Sequence, residues 1–518
     1  MAGTAEKTQI TGDKTLITIT AMLAALMSVL DISIVNVGLS DIRASFGTPL
    51  DQIAWVSTGY AMANITIIPI SGWFQRRFGF RKYFTFSILA FTFASALCGL
   101  AWNLPALVVF RILQGLGGGA IIPTAQNILF GRYPVKEHGM AGALFGLGSI
   151  TGPLLGPTVG GVLIDWASWN WIFLINVPLG LLAAFLAWRN IGEPDFKPGA
   201  EPIDRSGIAL LAVGMVSLQY VLEEGNRDGW WDSRLICLLA VVAGVSLITF
   251  VVHELEIEHP VVDFRLFKDR TYAAASGLNF LIGTALFAGA FLFSLFCGTV
   301  MRYSALDIGL LFLQGSWIQL LIMPMVGRLI GKVDSRGMIA VGLVGMFFSL
   351  WLNGHLTGGA DHHAMLMPIF VRACSLGLCF VPLSVVALSN LSPRQRGSGA
   401  GLFNLTRELG GSIGTAWMST WLSNNQKQAY SDLTRNVDIY SATAIDQLRA
   451  AQGQLGARVY DAQQAALSLL GLRISGQALL RAFNQAFITL ALFFLASLVL
   501  VLVLKKPQAG AKADPAAH

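Results

Sequence analysis

The chain has 518 residues, of which 54% are hydrophobic and only 12% are charged. Soluble proteins carry about 25% charged residues, so this composition excludes an ordinary soluble domain and indicates a helical protein that crosses a lipid bilayer many times. The net charge of +6 then fits a positive inner face rather than nucleic-acid binding. The cysteines lie in or beside apolar runs without a C-x-x-C pair, so we expect neither a disulfide framework nor a metal site.

Apolar runs long enough to cross a bilayer predict an all-α protein with fourteen transmembrane helices. They cover approximately residues 16–37, 53–71, 83–101, 105–129, 140–163, 171–188, 206–222, 234–252, 272–297, 307–327, 338–356, 364–390, 397–421 and 481–504. An even number of spans places both termini on one side, and Lys and Arg are concentrated in the tails and links of that side. The positive-inside rule therefore predicts that both termini are cytoplasmic.

The polar links divide the chain into two predicted six-helix bundles with two inserted transmembrane helices between them. The predicted parts are a cytoplasmic tail 1–15, an N-terminal bundle 16–188, a cytoplasmic linker 189–205, the inserted helices 206–252, a second cytoplasmic linker 253–271, a C-terminal bundle 272–504 and a cytoplasmic tail 505–518. A shift of 255 residues places Gly327 on Gly72, and a shift of 258 places Gly410 on Gly152. Related bundles of this kind place a substrate site between the halves near the midplane.

Two charged residues fall inside early predicted spans. Asp31 lies in the apolar run of the first span and Arg111 lies in the fourth. A charge within the bilayer is expensive and is a functional-site hypothesis by default. Alternatively, Asp31 reaches the outer interface and Arg111 only supports folding. Both alternatives stay open at this point.

Residues 148–161 read GSITGPLLGPTVGG and form a glycine seam on the fifth span. The glycines recur every four residues, which creates a smooth helix face that another backbone can approach closely. The prolines remove backbone donors and disturb the helix, so the segment is either a tight crossing or a bendable helix between moving halves. The seam residues are Gly148, Gly152, Pro153, Gly156, Pro157, Gly160 and Gly161.

A second segment that could change conformation during a functional cycle follows the second span. It contains glycines and basic residues at the cytoplasmic edge, and we call it the candidate gate. The basic residues there also serve as ordinary determinants of topology. The residues of this segment that we single out are Gly72, Arg76, Arg77, Gly79 and Arg81.

Four segments carry a resemblance to a known family. Residues 30–37 resemble the first-helix signature L-D-x-[TS]-I-V-N-V, and residues 111–120 match the signature R-x-x-Q-G-x-G-x-[GA]. Residues 148–161 resemble an antiporter signature, and residues 72–82 resemble a gate loop between the second and third helices. With the link 222–232, the chain resembles the EmrB branch of the fourteen-helix drug:proton antiporters in the major facilitator superfamily.

The resemblance implies export of hydrophobic drugs and toxic compounds from the inner membrane of a bacterium by alternating access. It implies coupling to protons through Asp31 and Arg111, with the proton gradient as energy source and without a cofactor or an enzymatic activity. It also implies a tripartite system with an EmrA-like periplasmic adaptor and an outer-membrane channel of the TolC type. A proton-coupled uptake symporter on the same fold and a membrane scaffold or sensor without transport remain as alternatives.

The second half holds a further charged pair, Arg407 and Glu408. We predict Glu408 as a second proton carrier, and a structural partner for Arg372 or Arg407 is an equally open interpretation. Polar residues within the spans are candidates to line a drug cavity: Asn36, Tyr60, Asn64, Gln126, Asn279, Gln314 and Gln319.

Residues 422–480 form the one long outer segment, and apolar residues recur in it at helical spacing. This pattern predicts an amphipathic helical excursion, which is either a lid or the surface that docks the adaptor. Two other motifs are set aside. His253 and His259 are six residues apart, whereas a zinc-protease helix requires four, and the chain contains no phosphate-binding P-loop motif.

Overall fold

The computed structural model describes residues 10–193, 203–389, 391–435, 452 and 462–504, and the chain folds there into helices joined by short links. Both predicted tails beyond these limits, most of the first linker and the centre of the outer excursion lie outside the described residues. The first-half helices are α1 (Lys14–Phe46), α2 (Leu50–Ile53), α3 (Trp55–Phe78), α4 (Phe80–Gly99), α5 (Leu104–Gly118), α6 (Ile121–Arg132), α7 (His138–Trp166), α8 (Trp171–Leu174) and α9 (Asn176–Asn190). The others are α10 (Arg205–Glu224), α11 (Arg234–Glu256), α12 (Arg270–Thr299), α13 (Ala305–Ser316), α14 (Gln319–Leu329), α15 (Ser335–Asn353), α16 (His362–Leu388), α17 (Pro393–Arg435) and α18 (Ala462–Val501).

Each predicted span falls on one helix or on one broken pair of helices. Within the described residues, 11 elements are long and apolar enough to cross a membrane. The helices α3, α7 and α17, at the second, fifth and thirteenth predicted spans, pack among these elements. The all-α architecture is confirmed, and the count of fourteen spans stays a prediction.

Several helices begin at polar residues of the short links. The side chains of Asp13, Asn103 and Asp361 accept backbone N–H groups in the first turns of α1, α5 and α16. Ser304 and Asp307 form a capping box at the start of α13. These contacts satisfy N–H groups that have no partner inside the helix, so the links determine where the helices begin.

The predicted boundaries are too short for three helices. The helix α1 continues to Phe46, α17 continues to Arg435, and α18 begins at Ala462. The predictions followed the apolar runs, which end where polar residues begin, but a helix does not need apolar residues to continue into water. The described ends of the 422–480 excursion are therefore continuations of α17 and α18.

The glycine seam of α7 lies against α1, and the two helices run parallel. Gly148, Gly152, Gly156 and Gly160 face, in order, Met22, Leu30, Ser33 and Ile34. A β-carbon at Gly152 would lie 2.7 Å from the backbone nitrogen of Leu30, so a larger residue there requires the helices to separate. Gly161 is directed elsewhere, and its nearest neighbour is the Leu306 side chain, 3.9 Å from an added β-carbon. The second half repeats the arrangement, because Gly410 and Gly414 of α17 face Phe280 and Thr284 of α12.

We call the end of the molecule that carries Lys14, Phe78 and Pro393 the base, and the end that carries Phe46 and Gly225 the top. At the base, two contacts join the halves backbone to backbone. Gly72 of α3 packs on Gly397 of α17, and Gly139 of α7 packs on Gly327 of α14. The shift of 255 residues places Gly327 on Gly72, and the shift of 258 residues places Gly397 on Gly139. The sequence repeat therefore relates these two contacts to each other.

Candidate functional site

Asp31 and Arg111 form a fully buried ion pair in the N-terminal half. A guanidinium N–H of Arg111 donates to Asp31 Oδ2 at 2.6 Å, and the side chains are 0% and 1% exposed. The other carboxylate oxygen, Oδ1, accepts hydrogen bonds of 2.8 Å from the amides of Gln114 and Asn176. Three donors thus converge on the acid from α5 and α9. Asp31 is therefore held inside the helix packing and does not reach the interface.

Arg111 connects this acid to the wall of a cavity. Its Nε–H donates to the backbone carbonyl of Val56 at 3.0 Å, and its guanidinium carbon lies 4.2 Å from the centre of the Tyr60 ring. Both partners belong to α3. Arg111 also donates to Gln114 at 2.7 Å, so a movement of its side chain would alter contacts on three helices.

A cavity of about 430 Å³ lies between the two halves on the top side of the ion pair. We call it the central cavity, and it is bounded by residues of α1, α3, α5, α10, α12 and α17. Its volume is within the range of small-molecule sites, roughly 300–1,000 Å³. Of the predicted cavity residues, Asn36, Tyr60 and Asn64 line it, and Asn64 donates to the Tyr60 hydroxyl at 3.0 Å.

The other four predicted cavity residues lie elsewhere, because each is used in packing between helices or at a surface. Gln126 accepts a hydrogen bond of 2.5 Å from Asn404, and Asn279 donates to the backbone carbonyl of Phe403 at 2.6 Å; all are buried at helix contacts. Gln314 is exposed and bonds His362, while Gln319 is buried away from the cavity lining.

Glu408 lines the central cavity, whereas its neighbour Arg407 points away from it. Arg407 is 5% exposed, donates to Asn404 at 2.8 Å and lies over the Phe380 ring. Among the described residues, no hydrogen bond and no salt bridge within 4 Å joins Glu408 to a partner. Arg372 instead lies 5.1 Å from the ring centre of Phe312. Arg407 and Glu408 nevertheless interact electrostatically through space, so the interpretation of Glu408 as a structural partner of Arg407 stays open beside that of a proton carrier.

The predicted gate segment lies at the base. Arg76 donates to the Ser398 hydroxyl at 2.8 Å and to the backbone carbonyl of Pro260 at 3.3 Å, so it joins α3, α17 and the 257–263 link. Gly79 has a φ of 81°, which allows the sharp turn between α3 and α4. Arg77 lies beside Arg76 in the last turn of α3. Arg81 packs over the Trp188 ring.

His253, from the motif whose spacing does not fit a zinc protease, and His362, at the start of α16, each have a polar partner. His253 bonds Asp204 at 3.0 Å, and His362 bonds Gln314 at 2.8 Å. Across the described part of the chain, no group of three or more His, Cys, Asp or Glu side chains is placed to hold a metal ion.

Comparison with known proteins identifies the family to which the chain belongs. A family model described as Major Facilitator Superfamily matches residues 21–415. The chain belongs to the major facilitator superfamily. It is 32% identical to the multidrug export protein EmrB of Haemophilus influenzae, over 95% of this chain and 96% of that one, and 32% identical to EmrB of Escherichia coli K12, over 97% and 98%. The human organic anion transporter MFSD10 shares the fold, with a TM-score of 0.58 at 13% identity over 94% of this chain and 99% of that one.

Membership in the major facilitator superfamily agrees with the two related halves and the cavity between them. Three residues of the site had no assigned role from the sequence: Gln114, Asn176 and Glu223. Gln114 lies three residues after Arg111 and therefore on the same helix face, which was a usable signal. Glu223 stands at the end of an apolar run and looked like part of an outer link, although it lines the central cavity.

Proposed function

We propose that this chain exports hydrophobic drugs and other toxic compounds in exchange for protons by alternating access. The proposal places it in a bacterial inner membrane with both termini cytoplasmic, as a transporter without enzymatic activity. The proton gradient is the energy source, and no bound cofactor is invoked. The observation that carries the proposal is the buried Asp31–Arg111 pair beside the central cavity.

Asp31 has three hydrogen-bonding neighbours, Arg111, Gln114 and Asn176. All three neighbours present donors to the carboxylate, and a carboxylate can only accept. A proton on either oxygen would face one of these donors, so at least one contact would have to break. Protonation of Asp31 is therefore a local event that releases Arg111 or an amide.

Release of Arg111 reaches the drug site through α3. Its contacts to Val56 and Tyr60 hold the cavity wall, and Tyr60 faces the cavity itself. A proton on Asp31 would thus change the α3 wall of the cavity through Arg111, and a drug in the cavity would contact the same wall directly. Exchange follows if the two ligands stabilise different states, because each can shift the equilibrium only by its differential affinity.

The observed conformation is consistent with an outward-facing state. Backbone contacts close the base at Gly72 and at Gly139, while the cavity lies on the top side. In the predicted orientation the base is cytoplasmic, because the basic residues Arg76, Arg77 and Arg81 lie there.

Purified protein in proteoliposomes tests the proposal directly. With an imposed pH gradient, we expect accumulation of a fluorescent drug in the direction opposite to proton flow. Dissipation of the gradient should stop it. Uptake in the same direction as protons would indicate a symporter, and gradient-independent behaviour would indicate a scaffold or sensor.

We further propose that the chain is the pump of a tripartite system with an EmrA-like adaptor and a TolC-type channel. The support is the extension of α17 and α18 beyond their apolar runs, together with the likeness to EmrB. Replacing residues 430–475 by a short Gly/Ser linker should spare flux in proteoliposomes and remove both drug resistance in cells and co-purification with the adaptor. Retained co-purification would place the docking surface elsewhere.

A further inference from the structure

The charges around the central cavity do not balance. Arg111, Glu223 and Glu408 line the cavity. The positive charge of Arg111 is already offset by Asp31 behind it. The remaining charged groups that face the cavity are two acids, and of these Glu408 also interacts with the buried Arg407 behind it. The cavity interior therefore favours a positively charged occupant, most strongly beside Glu223.

Glu223, near the end of α10, is the better defined of these acids. Its Oε1 accepts a hydrogen bond of 2.8 Å from Gln219 Nε2, and its Oε2 accepts one from the hydroxyl of Thr58 on α3. Both oxygens therefore have a hydrogen-bond partner on the protein, which holds the carboxyl group in a fixed position at the cavity wall. No salt bridge within 4 Å joins Glu223 to a described residue. The next residue, Glu224, is buried and pairs with Arg227 at 2.7 Å.

An acceptor without a hydrogen-bond partner among the described residues lies beside Glu223. Gln219 is 3% exposed and also lines the cavity, and its amide oxygen has no hydrogen-bond donor among the described residues. A buried amide oxygen without a donor is costly. A ligand that carries an N–H group next to its positive charge would satisfy it.

Other parts of the cavity wall are aromatic. Phe287 and Phe291 of α12 and Tyr60 of α3 face the cavity. Aromatic faces bind the apolar part of a ligand and also attract cations through their ring electrons. The combination of two acids and three aromatic rings fits a lipophilic cation.

We propose that Glu223 is a substrate-binding carboxylate that selects positively charged ligands in the central cavity. The helix α10 then contributes to binding as well as to the transmembrane scaffold. The inference rests on the proposed export function and specifies the substrate class of that same site. The competing interpretation is that the Thr58–Glu223 contact only fastens α10 to α3.

Equilibrium binding to the purified full chain in detergent separates these interpretations without requiring flux. The probes are tetraphenylphosphonium, which carries a permanent positive charge, and triphenylphosphine oxide, which is uncharged. Glu223→Gln should weaken binding of the cation roughly tenfold, as the loss of one partly screened charge contact predicts. Binding of the uncharged probe should change by less than about twofold.

Two variants control the interpretation. Glu223→Asp retains the charge and should recover most of the cation affinity. Asp228→Asn removes one negative charge at a residue of the adjacent top link that does not itself line the cavity, and this variant should bind both probes like the wild type.

Unchanged affinity for tetraphenylphosphonium in Glu223→Gln would overturn the proposal. An equal loss for both probes, with a lower melting temperature, would also overturn it and favour the fastening role. Charge-selective binding in a protein that shows no proton-driven flux would support this inference and refute the export function, so the two failures are distinguishable.

Discussion

Asp31 and Glu408 are both acids within predicted spans, but their surroundings differ. Asp31 is fully buried and holds three donors within 2.8 Å. Glu408 lies at the cavity surface, and no described side chain forms a salt bridge with it within 4 Å. The first is part of the protein's internal packing, and the second is available to a ligand or to water.

The difference indicates a division of labour between the halves. An acid that is fully paired changes the packing when it takes up a proton, because its donors must move. An acid at the cavity surface can change its charge with little effect on helix packing. A change of charge at Asp31 would therefore disturb helix packing far more than a change of charge at Glu408.

The largest expected effect comes from Asp31→Asn. Proton-driven export should be abolished, because no acid remains beside Arg111. The variant should also lose about 3–5 kcal/mol of stability, since removal of one partner leaves a buried charge unpaired. Flux in proteoliposomes and thermal unfolding in detergent measure the two effects. Wild-type flux in a correctly inserted variant would exclude the coupling role.

Gly152→Ala tests whether the packing around Asp31 must stay tight. The added β-carbon meets the backbone of Leu30, immediately before Asp31, so α1 and α7 must separate and export should fall strongly. Gly161→Ala on the same helix is the matched control, because its β-carbon meets only the Leu306 side chain at 3.9 Å. Equal activity of the two variants would show that the seam is not a critical contact.

Asn176→Ala removes one of the three donors and leaves the ion pair intact. A hydrogen bond to a charged group contributes about 1.5–3 kcal/mol, so we expect an intermediate loss of stability and a partial loss of export. The double variant with Asp31→Asn should lose less than the sum of the single variants, because both changes affect one contact. Additive losses would mean that Asn176 acts independently of Asp31.

The smallest effect on stability should come from Glu408→Gln. The carboxylate has no salt-bridge partner to lose within the described residues, so the free energy of unfolding should change by less than about 0.5 kcal/mol. Export should decrease less than in Asp31→Asn. A destabilisation as large as that of Asp31→Asn would contradict the contrast between the two acids.

The sequence was sufficient to predict the helical fold and to select Asp31 and Arg111, because charges within apolar helices require partners. The structure places those two charges together. The sequence could not show that Gln126 and Asn279 form contacts between helices. A polar residue in a span can either line a cavity or form a hydrogen bond with a neighbouring helix. Glu223 was overlooked because the apolar run of α10 stops just before it, which made it look like part of the following link. Only the folded structure shows that this end of α10 lines the cavity.

The length of α17 has a mechanical consequence. Its 43 residues correspond to about 65 Å of helix, more than twice the roughly 30 Å hydrocarbon thickness of a bilayer. The same continuous helix contributes Glu408 to the cavity, Gly397 to the base and an end at Arg435. If α17 tilts about a point near the membrane centre, each part of the helix moves in proportion to its distance from that point. A small rotation that opens the base would therefore displace the Arg435 end by several ångströms. A label at the Arg435 end would therefore report the transport cycle from outside the membrane.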